Sequence, residues 1–411
     1  MMFAKRRTGL LLAIAALCAG AFLFFTRNPD PDAFYDPPQD LSAPPGTILR
    51  SEPFDHGLPA GSKGWRILYV STDEHGDHIA VSGLVIAPIA RSSRPRPVLA
   101  WAHGTLGLAR SCAPSNTEKP LASIPDLRGA VAAGWVITLT DYPGLGTPGP
   151  HPYLVLQSEG RAVLDSVTAA HQLDTGLDLQ DRYAIWGHSQ GGHAALAAGQ
   201  LAPQYLPDQE LVGVAALAPA TDLAADLAAV RGTTAGNFLT VLALQAWSAY
   251  YDDIPAGTLT RAARVPARTL ARTCLNQPSR FRIAVAGLAL PDEVLALDPE
   301  EDPAWRAHLA ANEPDPTGID APLFVGQGDA DESLRAEKPE LPGQLLLKRH
   351  RRQGFAPEQV LRVAEHLLLD HLAQLLVAGP RRVLAAVARA RPERELHHLV
   401  AEVLRVGDAG R

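Results

Sequence analysis

Short apolar runs alternate with longer helix-like stretches through most of the chain. Trp65 to Thr72 and Ile79 to Ala87 flank the turn-rich Asp73-Glu74-His75-Gly76-Asp77, a pattern that predicts an antiparallel hairpin. Further apolar runs follow at Val98 to Ala102, Trp135 to Thr140, Tyr183 to Trp186, Val212 to Leu217 and Leu323 to Val325. Helix-like segments such as Gly160 to Gln172 and Gln190 to Leu201 lie between several of them. Buried strands alternating with helices predict an α/β fold, a mostly parallel sheet flanked by helices. The opening hairpin fits the antiparallel edge that mixed sheets often carry.

One interval breaks this rhythm. Residues 221–315 contain no obvious strand, only Ala- and Leu-rich helical segments such as Leu223 to Val230 and Asn237 to Tyr251. A crossover between parallel strands needs far less chain, so this interval reads as an inserted helical cap. The core is then split into residues 48–220 and 316–378, with 379–411 as a divergent C-terminal tail. Residues 28–47 are rich in proline, lack a hydrophobic period and read as a linker.

The N-terminal residues 1–27 are of another kind. Lys5, Arg6 and Arg7 precede an uncharged apolar run from Gly9 to Phe25, the order of a signal peptide or an N-terminal anchor. Ala19-Gly20-Ala21 offers a small-residue cleavage site. If uncleaved, residues 8–25 are about the shortest length that spans a bilayer and would associate the chain with a membrane. Export as a secreted or periplasmic protein, or as one tethered by that segment, is the expectation. With Cys18 inside this run, Cys112 and Cys274 remain, and an exported chain permits a disulfide that spacing alone does not establish.

Composition narrows the class only a little. The 411 residues are 46% hydrophobic, and 37 basic against 44 acidic residues leave a formal charge of −7. That is a globular balance of mild charge, without the basic face that nucleic acid requires. No cluster of His, Cys and Asp has metal-ligand spacing, so neither metal nor cofactor is expected.

The chemistry concentrates at Trp186-Gly187-His188-Ser189-Gln190-Gly191-Gly192, directly after a predicted strand and directly before a predicted helix. This is the setting of a nucleophile elbow, in which a serine sits on a tight turn and the following helix aims its N-terminal amides at a developing oxyanion. Ala102-His103-Gly104-Thr105 follows an earlier strand and supplies a second donor, so the amides of Thr105 and Gln190 are the expected oxyanion hole. His103, His188 and His193 read as structural. A triad acid should follow the serine on a loop after a later strand. Gly326-Gln327-Gly328-Asp329-Ala330-Asp331 provides one, with Asp331 the better placed and Asp329 its competitor.

Taken together these segments resemble the secretory lipase family typified by fungal lipases of the lipase A type. The matches are Pro45-Gly46-Thr47, Ala102-His103-Gly104-Thr105, Asp141-Tyr142-Pro143-Gly144-Leu145-Gly146, Gly187-His188-Ser189-Gln190-Gly191-Gly192, Ala218-Pro219-Ala220-Thr221-Asp222-Leu223 and Gly326-Gln327-Gly328-Asp329-Ala330-Asp331. The resemblance implies an α/β-hydrolase fold with a helical lid, hydrolysis of acyl esters, Ser189 as nucleophile and Asp331 as acid. It also implies a disulfide between Cys112 and Cys274. An acyl-ester or lipid substrate follows from it.

After Asp331 the chain departs from the family. Glu332-Ser333-Leu334-Arg335 stands where relatives carry a Val-Pro-like pair, and no aromatic-Pro-Gly turn precedes a histidine. His366 stands at the expected spacing from Asp331, with His371 second; both fall in an amphipathic pattern from Leu361 to Val377, where a histidine can equally be a solvated helix residue. Two readings therefore leave the sequence. One is a Ser-His-Asp ester hydrolase, lipase or small-ester carboxylesterase, with Ser189, His366 and Asp331 as its triad. The other is a hydrolase-fold protein whose divergent tail has lost the base and which only binds a lipid or a partner. Oligomeric state is left open.

Overall fold

Eight strands among the described residues form one sheet in the order β1-β2-β3-β5-β4-β6-β7-β8. They are β1 (Ile48–Phe54), β2 (Ser62–Thr72), β3 (His78–Pro88), β4 (Arg96–Ala102), β5 (Val136–Thr140), β6 (Leu179–His188), β7 (Glu210–Leu217) and β8 (Leu323–Gly326). The first three are antiparallel, β3 is antiparallel to β5, and β5, β4, β6, β7 and β8 run parallel. The computed structural model describes residues 29–326 except 230, 256 and 276–279.

The expected mostly parallel sheet, with its hairpin at one edge, is present. Its central strands are buried on both faces, as β5 with five successive buried residues illustrates. Such strands read as continuous apolar runs because helices cover both sides. Two of those helices position the site: α2 (Leu156–Gln172) and α3 (Gln190–Tyr205), which follow the shorter α1 (Leu127–Ala132). α2 and α3 bury Val163, Val167, Ala194 and Ala198 into one core with Tyr69, Val98 and Ile185 from the strands.

Strand β1 escaped the sequence pattern. Its run Ile-Leu-Arg-Ser-Glu-Pro-Phe has no clean alternation and contains Pro53. It survives as the outermost strand, paired on one side only, where a missing amide N–H is tolerated.

Within the proline-rich stretch expected to be a linker, the described residues pack down instead of hanging free. Phe34 and Tyr35 are buried, and the guanidinium of Arg66 lies 4.2 Å from the Phe34 ring centroid and 4.9 Å from that of Tyr35. Asp32 pairs with the same arginine at 3.0 Å, and Tyr35 Oη shares a 2.9 Å hydrogen bond with Ser115 Oγ. Two aromatic rings outweigh the prolines around them, because each ring brings a large apolar area to bury.

Between β7 and β8 the described residues form five α-helices, α4 (Leu223–Ala229), α5 (Thr234–Tyr250), α6 (Arg264–Ala271), α7 (Arg280–Leu288) and α8 (Pro303–Ala311). Local signals start two of them. Thr233 caps α5 by accepting from Gly236 N, and Asp302 caps α8 ahead of Pro303. They share a second apolar core, in which Trp247 stacks on Trp305 at 5.5 Å beside Val241, Leu270 and Leu309. Among the described residues no helix is long and apolar enough to cross a membrane.

Candidate active site

Ser189 occupies the joint between β6 and α3 at φ 57° and ψ −121°. A non-glycine residue in that region carries roughly 1–3 kcal/mol of strain and persists only where its surroundings enforce it. They do so here: Ser189 N donates to Leu217 O at 2.8 Å, and His193 N donates to Ser189 O at 3.1 Å. The glycines explain themselves by distance. A Cβ on Gly187 would lie 1.9 Å from Gly191 O, and one on Gly191 would lie 1.9 Å from Ala102 O. Only bare backbone lets β4, β6 and α3 meet so closely. The serine side chain makes no capping bond to α3, so its hydroxyl is left for other use. Strain gathers around it, since Tyr142, Leu154 and Ala218 also take positive φ.

Behind the serine lies a dry polar cluster that the sequence reading missed. Gln190 Nε2 donates to Glu159 Oε1 at 2.6 Å and to His151 Nε2 at 2.9 Å. His151 Nδ1 in turn donates to Pro143 O at 2.9 Å, which fixes the tautomer. Burial pushes the pKa of His151 down to about 3, so the ring is neutral and its Nε2 is free to accept. Glu159 Oε1 also accepts from Leu154 N at 3.1 Å. Its Oε2 faces His193 Nδ1 at 3.4 Å, while His193 Nε2 donates to Asn312 O at 2.8 Å. Two lone pairs would oppose each other there unless a proton sits between them. Burial raises the Glu159 pKa, against the pull of His193 and Gln190. The overlooked signal was positional: Glu159 falls on the stripe of α2 shared by Leu156 and Val163, where a charge is out of place.

The loop carrying Thr105 passes beside this elbow. A Cβ on Gly104 would sit 3.6 Å from Ser189 Cβ, and Thr105 Oγ1 shares a 2.9 Å hydrogen bond with Tyr153 Oη. His103 is fully buried, with ring contacts to Gly104 O at 2.7 Å and Asp141 O at 3.3 Å. Desolvation drives its pKa down to about 4, so it is a neutral loop-holder, as the sequence suggested. Asp141 locks the neighbouring loop by accepting from Ser82 Oγ at 2.6 Å, Ser115 N at 2.9 Å and Ser115 Oγ.

In front of Ser189 is a pocket of about 730 Å³, part of it open to solvent. Leu223, Leu227, Leu244, Trp247 and Trp305 from the five-helix segment line it, together with Tyr153 and Leu154. Asp226 and Thr240 are the polar exceptions in that segment's wall. Trp247 is fixed by its Nε1 donating to Tyr153 O at 2.8 Å. The pocket lies at the carboxyl ends of the parallel strands, the usual place for a ligand in an open α/β sheet.

Asp331 and His366, together with their competitors Asp329 and His371, lie outside the described residues. The last described position, Gly326, pairs with Leu217, whose carbonyl holds Ser189 N. Cys112 and Cys274 are disulfide-bonded with Cα atoms 5.2 Å apart, as the family resemblance implied. The bond ties the loop after β4 to the end of α6, where Leu275 N also donates to Leu106 O at 2.9 Å.

Residues 121–277 match the secretory lipase family. Over this span the chain is similar to the secretory lipases. The matching residues include the elbow, Glu159, the pocket-lining α4 and α5, and Cys274. A probable inactive lipase of Mycobacterium tuberculosis is 29% identical over 235 residues, covering 53% of this chain and 52% of that protein. Lipase A of Arthroderma benhamiae is 29% identical over 211 residues, 46% of this chain and 44% of that one. The chain spans about half the length of the curated relatives it matches. The closed state of Candida antarctica lipase A superposes with a TM-score of 0.62 at 18% identity, covering 74% of this chain and 75% of that one. The fold is that of the α/β-hydrolases.

Proposed function

We propose that the chain is an exported carboxylic-ester hydrolase in which Ser189 attacks the ester carbonyl. The amides of Gln190 and Thr105 stabilise the tetrahedral oxyanion, and a histidine from the segment after β8, His366 before His371, takes the serine proton. Asp331, with Asp329 as alternative, orients that imidazole. The alcohol leaves, and water then releases the acyl group from the serine. No metal or cofactor takes part. Lipase-type acylglycerols or smaller acyl esters are the substrates, and the charge-then-apolar N-terminus routes the chain out of the cytoplasm, cleaved or tethered.

The observation that carries this reading is the strained backbone of Ser189 at a strand–helix joint, enforced by glycines and open to an apolar pocket. Strain maintained at one serine beside a pocket is what an activated nucleophile requires. A fluorophosphonate probe should label the chain, and Ser189→Ala should abolish both labelling and ester hydrolysis. Hydrolysis that survives Ser189→Ala rules the assignment out. His366→Ala, checked for folding and compared with His371→Ala, should lower kcat by several orders of magnitude if His366 is the base.

A second reading is supported by two observations, the departure of the tail from the family pattern and the likeness to a probable inactive lipase. In it the pocket binds a lipid without cleaving it. A folded wild-type chain that neither takes the probe nor hydrolyses short or long acyl esters would establish that reading.

A further inference from the structure

The pocket in front of Ser189 is apolar except at a few atoms, and most of those are already paired. Tyr153 Oη is bonded to Thr105, Trp247 Nε1 to Tyr153 O, and Trp305 Nε1 to Thr258 Oγ1. Two polar atoms of the α4–α5 wall are not. Thr240 is only 2% exposed, and its Oγ1 has no hydrogen-bond partner among the described residues. Asp226 Oδ2 is buried and likewise without a partner among them, while backbone amides of Asp222 and Thr221 hold the rest of that carboxylate. Both residues line the pocket together with Ser189.

A hydroxyl in the middle of a helix ordinarily bonds back to a carbonyl or points to water. Thr240 does neither, and leaving such a group dry and unpaired is unfavourable. The arrangement is accounted for if a ligand supplies the missing partner. We propose that Asp226 and Thr240 form a polar subsite that selects esters whose apolar chain carries a hydroxyl group away from the scissile carbonyl. The proposal rests on the ester-hydrolase reading of Ser189 and names the substrate class for that site. A hydroxyl donates one hydrogen bond, suiting Asp226 Oδ2, and accepts another, suiting Thr240 Oγ1.

An ammonium group fits the same place less well. Burial, together with the nearby Asp222 and Glu313 carboxylates, lifts the pKa of Asp226 to about 7, against the backbone of Asp222 and Thr221. The carboxyl is therefore only partly ionised near neutral pH, and the rest of the α4–α5 wall is leucine, alanine and tryptophan. A buried cation needs a full counter-charge. A neutral hydroxyl does not.

Binding tests the subsite without requiring chemistry. Trp247 and Trp305 line the pocket, so tryptophan fluorescence of the full chain reports occupancy by 1-decanol and by decanediols whose second hydroxyl is stepped along the chain. At least one diol should bind about tenfold more tightly than 1-decanol, the weight of one hydrogen bond kept from water. Thr240→Val, which keeps the shape, and Asp226→Leu should each erase that preference, and Asp226→Asn, which still accepts, should retain it. Equal binding of mono-ol and diols overturns the proposal, as does a preference that survives both Thr240→Val and Asp226→Leu. Tighter binding of an amino-decanol than of every diol overturns it in favour of a cationic ligand. The same comparison in kcat/KM, with hydroxylated acyl chains on p-nitrophenol and with acetates of the diols, shows which half of the ester carries the hydroxyl. A preference in neither series overturns the substrate assignment. A chain that prefers diols but hydrolyses no ester defeats the catalytic reading and leaves the binding subsite standing.

Discussion

Glu159 Oε1 accepts a 2.6 Å hydrogen bond from Nε2 of Gln190, the residue directly after Ser189. With His151 taking the other Nε2 proton, the Gln190 amide has one orientation only. Glu159 thereby links α2 to the first turn of α3, the turn whose amides face the proposed oxyanion. Glu159→Ala would remove one of the two acceptors of Gln190 Nε2 and the acceptor of Leu154 N in a buried site. Urea unfolding should show a loss of about 2–4 kcal/mol, the cost of leaving buried hydrogen-bond donors without their acceptor. Fluorophosphonate labelling of Ser189 should slow in the fraction that stays folded. A variant as stable and as reactive as wild type would remove this role from Glu159.

Gly191→Ala should be far worse than its size suggests. The new methyl would lie 1.9 Å from Ala102 O, and neither β4 nor α3 can give way without opening the elbow. The expected result is a loss above about 3 kcal/mol or failure to accumulate soluble protein, as overpacking against backbone at the centre of a fold predicts. Gly257→Ala, where a Cβ meets nothing within 4 Å, is the control and should stay within about 1 kcal/mol of wild type.

Asp165 makes stability depend on pH in an unusual direction. Its Oδ2 accepts from Ser71 Oγ at 2.6 Å and Tyr205 Oη at 3.0 Å, yet burial outweighs these bonds and lifts its pKa to about 7. The folded state therefore holds a proton that the unfolded chain has released above its ordinary value of 3.8. The contribution of Asp165 is fully present below pH 3.8 and is lost as pH rises toward 7. Asp165→Asn has no proton to lose. Its stability relative to wild type should rise between pH 4 and 7, by up to about 1.4 kcal/mol per pH unit. Denaturant titrations of both proteins across that range would read the slope, and parallel curves would show that Asp165 titrates normally.

The Cys112–Cys274 bond spans 162 positions of sequence and joins the loop beside the elbow to the five-helix segment. In the chain-entropy account a loop of that length contributes on the order of 4–5 kcal/mol. Cys112→Ser with Cys274→Ser should lower the melting temperature by several degrees at least. Since both cysteines are almost wholly buried, alkylation of Cys112 and Cys274 should require reductant and denaturant together. Rapid alkylation of Cys112 or Cys274 under native conditions with reductant alone would show that this junction opens readily.

The sequence by itself determined the sheet, most of its strands, the serine elbow and the family resemblance. Each rests on local chemistry: buried parallel strands are apolar throughout, and a strained turn between strand and helix demands glycines at Gly187 and Gly191. The implied disulfide was likewise legible, because the neighbourhoods of Cys112 and Cys274 match the family. Tertiary structure alone decided what surrounds the serine. Glu159, His151 and Gln190 lie far apart in the chain, and only the packing of α2 against α3 brings a carboxylate, an imidazole and an amide into one dry cluster. Tyr35 looked like part of a linker until Arg66 and Ser115 arrived from β2 and the loop after β4 to bury it. Asp226 and Thr240 are ordinary polar residues of two helices in any one-dimensional reading. They come to line one pocket with Ser189 because the helices after β7 fold back over the strand ends. A single polar residue carries no mark of its future neighbours, so its role is fixed by the contacts that long-range packing makes.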